Sequence, residues 1–481
     1  MKTHRINKYR VRLYSSYIYF ILMVISSIYL TGCNDDENPD ATSQDTDTVK
    51  VVVPPVVNER KIYIPEELQS NDFDKSSSTW YNGRSKQSEH FILFWGAGYG
   101  DNDPGAAAVP ESYRVNITDL LEKAELFYDL NINQLKFAET GVGKSNLDKY
   151  KMLIFLHYQT DWLATGAGYD NVIGALWVSP STCKPVGSVI AHEIGHSFQY
   201  QVFCDLGGSS GFRYGFGGNG GNTFWEQTAQ WQSFQSYTKQ AFTDSDFTDY
   251  TNNYFRHICH ESQRYASYFI HYYWADKHGR DIVARVWREA QQPEDPIQAY
   301  MRITGINVAQ LNEELYHAAT RFVTWDLDAI RDAGADYIGA HSFNYTTLDD
   351  GSYQVAYDHC PGTTGYNVIR LDIPAAGTTV SAEFTGQVNE DGFNTVADAG
   401  RAGWRYGYVA LLNNGTRIYS DMNSAATGTA TFTIPENCSK LWFVVTGAPN
   451  TYMPHPWDND DTNDDQWPYK VKFVNTDLFR E

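Results

Sequence analysis

Three short apolar runs mark the first half of the chain, at residues 90–95, 152–157 and 172–178. Each is too short for a helix and is rich in β-branched or aromatic side chains, so each is predicted to be a strand. Between the first two, residues 116–130 set Leu120, Leu121, Ala124 and Phe127 on one face at helical spacing. A further helix is predicted over 186–202. Beyond residue 340 the helical period stops and short strand-like segments follow, at 367–373, 380–385, 406–412, 416–420, 430–434, 441–446 and 469–474. Asn414-Gly415 lies between two of them and signals a hairpin. The pattern predicts an α+β chain with two folded parts, a mixed region at 59–335 and a β-sandwich at 340–481. A length of 481 residues agrees with two parts.

Composition changes the picture in two places. Apolar residues make up 42% of the chain and aromatics 15%, which supplies a large core, and the 34 tyrosines suit sheet surfaces and wet clefts. The formal charge is −21, and residues 1–32 hold five basic residues and no acid, so the remainder is more acidic still. That leaves no basic surface for phosphates and argues against a nucleic-acid partner.

The N-terminus reads as an address. Lys2, Arg5, Lys8, Arg10 and Arg12 precede an apolar run at 17–30, too short for a comfortable membrane span. The run ends in Leu30-Thr31-Gly32-Cys33, which resembles the bacterial lipobox and implies lipidation of Cys33. Asn34-Asp35-Asp36-Glu37 is similar to the export signal of surface lipoproteins in the Bacteroides group. The expected layout is a signal at 1–32, a tether at 33–58, and an outer-membrane lipoprotein facing outward. Five other cysteines remain, of which Cys360 and Cys438 are candidates to pair; no CxxC spacing offers a cysteine zinc site.

The decisive segment is Val189-Ile190-Ala191-His192-Glu193-Ile194-Gly195-His196. Two histidines four apart share one face of a helix, so both imidazoles reach one tetrahedral ion. Glu193 lies roughly 100° round the helix from His192, beside the ion, where a water needs a base. Gly195 is small enough for another segment to approach closely. Downstream, Thr223-Phe224-Trp225-Glu226-Gln227-Thr228-Ala229 reads as a helix, and Glu226 has two readings there. With Thr223 as cap it completes a capping box; otherwise it is a third metal ligand.

The second reading follows from resemblance. His-Glu-x-x-His followed on a later helix by Glu-x-x-Ala resembles the gluzincin metallopeptidases, over residues 85–280. The resemblance implies a zincin-like fold, one zinc ion per chain held by His192, His196 and Glu226, and Glu193 as catalytic base. It also implies an oxyanion-binding Tyr or His beyond the second helix, with Tyr265 the first choice and His271 the second. Gln230 departs from the pattern, because some members carry an acid there to support a metal-bound His. Between the two helices a glycine-rich loop at 207–221 is expected to form a mobile lip, with Arg213, Tyr214 and Phe216 as substrate contacts. Its Gly215-x-Gly217-x-x-Gly220 follows a helix, so it is not read as a dinucleotide fingerprint.

Near the C-terminus Asp458, Asp460, Asp461, Asp464 and Asp465 crowd together, a candidate calcium site around Asp458 and Asp460 without the EF-hand glycine, or a solvated acidic turn. Taken whole, with Gly403-Trp404-Arg405-Tyr406-Gly407 and Trp467-Pro468-Tyr469, the sequence resembles zincin-like surface lipoproteins of gut bacteria. The expected activity is zinc-dependent hydrolysis of peptide bonds in extracellular proteins or glycoproteins. The rival reading is a surface protein that binds glycan or protein on a zincin scaffold without catalysis; a scaffold has no need of Glu193.

Overall fold

The computed structural model describes residues 60–207 and 221–480. The architecture is α+β. The three apolar runs become β2 (Phe91–Trp95), β3 (Met152–Leu156) and β5 (Ile173–Val178). They pair in parallel, with Phe91 opposite Met152 and Leu153 opposite Ala175. Every residue of β2 and β3 is buried, the pattern of strands covered on both faces. Two antiparallel edges complete a five-stranded sheet in the order β1-β2-β3-β5-β4: β1 (Ser85–Gln87) and β4 (Ala164–Tyr169).

The sequence pattern did not predict β4, whose Ala-Thr-Gly-Ala-Gly-Tyr run lacks the β-branched signature. Its glycines serve a close approach. A Cβ on Gly166 would overlap the Glu193 carbonyl of the helix packed on the strand. The first helix, α1 (Ile117–Asp129), is capped by Asn116, whose side chain accepts from the Thr118 and Asp119 N–H groups. Helix α2 (Ser188–Asp205) lies against β4 and β5. It is followed by α3 (Gly221–Phe234), α4 (Gln240–Thr243), α5 (Ser245–Asn253), α6 (Phe269–His278), α7 (Ile282–Arg288), α8 (Pro296–Thr304) and α9 (Val308–Phe322).

From residue 345 the described residues form strands and short turns with no α-helix: β6 (Tyr345–Thr347), β7 (Tyr353–Val355), β8 (Tyr366–Leu371), β9 (Thr379–Gly386), β10 (Trp404–Leu412), β11 (Arg417–Tyr419), β12 (Thr427–Thr433), β13 (Cys438–Gly447) and β14 (Tyr469–Val474). They form two antiparallel sheets, β11-β10-β13-β8 and β12-β9-β14-β7-β6. The hairpin at Asn414-Gly415 joins β10 to β11, with Gly415 at φ 84°. Strands β6 and β7, three residues each, carried too little pattern to predict.

The four-stranded sheet is apolar on both faces, and its period of two divides the side chains between two cores. Tyr366, Val368, Val409, Leu411, Trp442 and Val444 join the core of the helical region. Ile369, Tyr406, Tyr408, Leu441, Phe443 and Val445 join a second core shared with the other sheet, where Phe384 stacks on Tyr406 at 4.1 Å. Helix α9 packs directly on β10 and β13. The change of pattern near residue 340 is therefore a change of element type on one side of a shared wall.

The cysteines Cys183, Cys204, Cys259, Cys360 and Cys438 are all free thiols, so the expected Cys360–Cys438 pair is not formed. Cys360 is wholly buried, whereas the Cys438 thiol, at the start of β13, donates to the Lys440 carbonyl.

Because one sheet closes both cores, the full chain should melt in a single cooperative transition. Trp442→Ala should lower its stability by about 3–5 kcal/mol. Denaturant titration followed by tryptophan fluorescence and far-ultraviolet dichroism checks both; two separated transitions would show independent units.

Candidate metal centre

The centre is built where α2 crosses α3. Two residues let the helices meet. Gly195 has no side chain, and Ala229 opposite it is fully buried; a Cβ on Gly195 would lie 3.4 Å from Ala229 Cα and 2.9 Å from Gln232 Oε1. Helix α3 already begins at Gly221, so Thr223 lies inside it and its hydroxyl donates to the Cys259 carbonyl at 2.9 Å. This removes the capping-box reading of Glu226. Its carboxylate faces α2 instead.

Glu226 Oε2 stands 3.2 Å from His192 Nε2 and 3.1 Å from His196 Nε2. Ligand atoms held tetrahedrally by bonds of about 2.0–2.1 Å lie roughly 3.3 Å apart, so this is the spacing of groups around one ion. Together the three residues can hold a metal ion. Burial disfavours the His192 cation, but the Glu226 hydrogen bond and the charges of Glu193 and Glu226 outweigh it and raise its pKa to about 9. Burial pushes Glu226 up, yet the two histidines hold it well below the usual carboxylate range. The cluster thus favours a cation between its members, a proton or a metal ion.

Both histidines are oriented from behind. His192 Nδ1 lies 3.0 Å from Gln230 Oε1, and the Gln230 amide nitrogen donates to Asp246. The acid missing at position 230 is supplied one step further out, from α5. His196 Nδ1 lies 3.1 Å from Gln199 Oε1. Gln199 donates to Gln232 Oε1 (3.1 Å), Gln232 to Asn131 Oδ1 (2.5 Å), and Asn131 to the Phe127 carbonyl (2.9 Å). Gln199, Gln232 and Asn131 are all buried, so the relay closes on backbone with its donors used. An acceptor at each Nδ1 keeps the proton there and leaves the Nε2 lone pairs facing the shared space.

Glu193 is 6% exposed and sits beside the cluster without joining it. The Gly166 N–H on β4 donates to its carboxylate. Burial raises its pKa above the ordinary range, against the opposing pull of His192 and His196. Tyr265 reaches the centre: its hydroxyl donates to Glu226 Oε1 at 2.9 Å. It does so from the turns before α6, which begins only at Phe269. His271 is fully buried within α6, 3.3 Å from Thr228 Oγ1 and stacked on Phe224, away from the centre.

The other predicted residues lie elsewhere. Arg213, Tyr214 and Phe216, the GxGxxG stretch, and Cys33 with the leader fall outside the described residues. Asp458 and Asp460 hold their own loop together: Asp458 accepts from the Asp460 N–H and the Asn463 amide, and Asp460 accepts from Thr462. Neither belongs to a metal-type cluster among the described residues. Sequence reasoning missed Asp246, Gln199, Gln232 and Asn131. Only Gln199, three residues after His196, carried a positional signal.

Fold and site together define an α+β protein with a buried centre of two histidines and one glutamate at a helix crossing. The chain belongs to the family described as "Family of unknown function (DUF6055)", whose model matches residues 54–480. No curated protein matches the sequence. Among solved structures, the crystal structure of Yersinia pseudotuberculosis-derived mitogen is similar over 27% of this chain and 86% of that one, at 7% identity and a TM-score of 0.16. The Glycosylation Associate Protein (Gap123) complex from Streptococcus agalactiae is similar over 27% of this chain and 39% of that one, at 9% identity and a TM-score of 0.16. At those TM-scores neither bears on fold or function.

If Gln230 and Gln199 set the histidine tautomers, Gln230→Leu and Gln199→Leu should each weaken zinc binding roughly 10–100-fold without unfolding the chain. Competition against a chromogenic chelator measures it; unchanged affinity in both variants would show that the outer hydrogen bonds do no orienting.

Proposed function

We propose that this chain is a zinc-dependent peptidase of the gluzincin kind, with a zincin-like region at 59–335 and an accessory β-sandwich at 340–481, acting on extracellular proteins or glycoproteins. The observation that carries the reading is the convergence of His192, His196 and Glu226 on one point with Glu193 buried beside it and not bonded into it. Two imidazole nitrogens and a carboxylate oxygen are a donor set that would suit zinc, held by His192, His196 and Glu226. Zinc bound there would supply a Lewis acid and lower the pKa of a bound water.

The chain's own groups do the rest. Glu193, fixed by the Gly166 N–H, takes a proton from the attacking water and passes it to the leaving amine. Its raised pKa brings it toward the range in which a carboxylate both accepts and returns a proton. Tyr265 lines an open cavity of ≈ 470 Å³ with Arg264 and Trp457, and its hydroxyl, which donates to Glu226 Oε1, would turn from that oxygen to donate to a developing oxyanion. A binding protein on the same scaffold has no use for a buried, anchored Glu193 beside the histidines.

Among the described residues no helix is long and apolar enough to cross a membrane. The lipobox-like Cys33 motivates attachment to the outer membrane by lipid, with the acidic segment after it directing the chain outward. Cys33→Ala should abolish fatty-acid labelling; labelling that persists would remove the anchor from this reading.

Glu193→Gln keeps the size of the side chain and removes the base. It should retain zinc at the wild-type level and lose on the order of 10²–10⁴ of hydrolysis rate on an unfolded protein substrate. A variant that cleaves as fast as wild type would overturn the mechanism.

A further inference from the structure

A second group of metal-type ligands lies outside the site above. His260 and Glu261 come from the turn before α6, and His455 from the loop after β13, 194 residues from Glu261. The His260 and His455 side chains are 5% and 4% exposed. His455 Nε2 stands 3.0 Å from Glu261 Oε2, and His260 Nδ1 stands 3.7 Å from the same oxygen. These separations bracket the roughly 3.3 Å expected between ligands in a tetrahedral site.

Asp464 lies on the outer side of both rings. Its Oδ2 lies 3.1 Å from His260 Nε2 and its Oδ1 lies 3.4 Å from His455 Nδ1. A carboxylate only accepts, so at His455 it draws the Nδ1–H toward itself and leaves the Nε2 lone pair facing Glu261, while at His260 the inner Nδ1 shows its lone pair by accepting from the Ser262 N–H. The Arg256 guanidinium, which only donates, also lies on the outer side, 2.7 Å from His260 Nε2 and 2.9 Å from Asp461, so it shares that nitrogen with Asp464 and its charge stays away from the inner face. The second Glu261 oxygen is pinned by the Asp458 N–H at 2.8 Å. Two ring nitrogens and a carboxylate oxygen thus gather on one inner face at separations that suit ligands of a single ion. The Ser262 N–H, 3.0 Å from His260 Nδ1, is the donor that such an ion displaces.

We propose that His260, Glu261 and His455 form a second metal site, which takes a divalent transition ion such as zinc and staples the acidic C-terminal loop to the helical region. Imidazole favours a borderline ion over calcium, which prefers an all-oxygen shell. The staple has a consequence for the cavity beside Tyr265. Trp457, Asn459 and Asp461 of the stapled loop line it together with Arg264, so the ion holds one wall of that cavity in place. The site uses none of the residues of the His192 centre and stands whether or not that centre is catalytic.

Metal analysis of the full chain after loading with zinc and removal of excess tests it. Wild type should hold two zinc ions. His455→Ala should hold one, and His196→Ala should also hold one, a different one, so the double variant holds none. Because losing a buried imidazole also loosens the loop, Asp464→Asn serves as a second variant: all three ligands stay, and the second zinc should weaken roughly 10–100-fold while the first does not. A zinc count unchanged by His455→Ala would reduce the cluster to hydrogen bonds and ion pairs and overturn the proposal. Uptake of calcium in preference to zinc would overturn the choice of ion. Loss of zinc in His196→Ala alone would refute this site and leave the first intact, and loss in His455→Ala alone would do the reverse.

Discussion

Everything at the His192 centre depends on how closely two helices cross. Gly195 and Ala229 remove the side chains that would hold α2 and α3 apart, and the Glu226 carboxylate then falls within 3.2 Å of both imidazoles. A Cβ at position 195 would rest in ordinary contact on Ala229 Cα and press on Gln232 Oε1 at 2.9 Å, so it would disturb the Gln199–Gln232 relay first. The same economy operates on the other side of α2. Gly166 lets β4 lie on the helix backbone, which brings its N–H to the Glu193 carboxylate. Two close approaches, one on each side of α2, fix the ligands and the base.

Buried polar groups are costly unless paired, and this centre gathers many. They are arranged as short relays that end on backbone or on a second acid. His196 leads through Gln199, Gln232 and Asn131 to the Phe127 carbonyl, tying the centre to α1. His192 leads through Gln230 to Asp246, tying it to α5. Burial raises the Asp246 pKa to about 7, so the end of this relay is itself sensitive to its surroundings. Thr223 and Gln227 fasten α3 to the Cys259 and Ile258 carbonyls, the segment that leads directly into His260 and Glu261. The two ligand clusters are therefore built on neighbouring stretches of one scaffold.

Much of this was legible in the sequence because it rests on local period and spacing. The runs that became β2, β3 and β5, the Asn116-capped helix and seven of the nine C-terminal strands all carry their own pattern, and β14 begins and ends where the alternation does. His192 and His196 declare themselves by four-residue spacing. What was hidden depends on tertiary approach. β4 is written in glycines that make sense only against α2. Asp246 has no tie in sequence to Gln230, sixteen residues earlier, and Asn131 lies 101 residues from Gln232. The Asp-rich loop read as a solvated turn or a calcium site because nothing near it in sequence announces His260. The structure turns Asp461 and Asp464 inward to that histidine and leaves Asp458 and Asp460 to their own backbone.

The most direct test of the account is a crystal structure of the zinc-loaded chain with data on both sides of the zinc absorption edge. The account predicts an anomalous peak bonded to His192 Nε2, His196 Nε2 and a Glu226 oxygen, with the Glu193 carboxylate nearby but outside bonding distance. An empty crossing in saturating zinc, with Glu226 still hydrogen-bonded to both imidazoles, would contradict it.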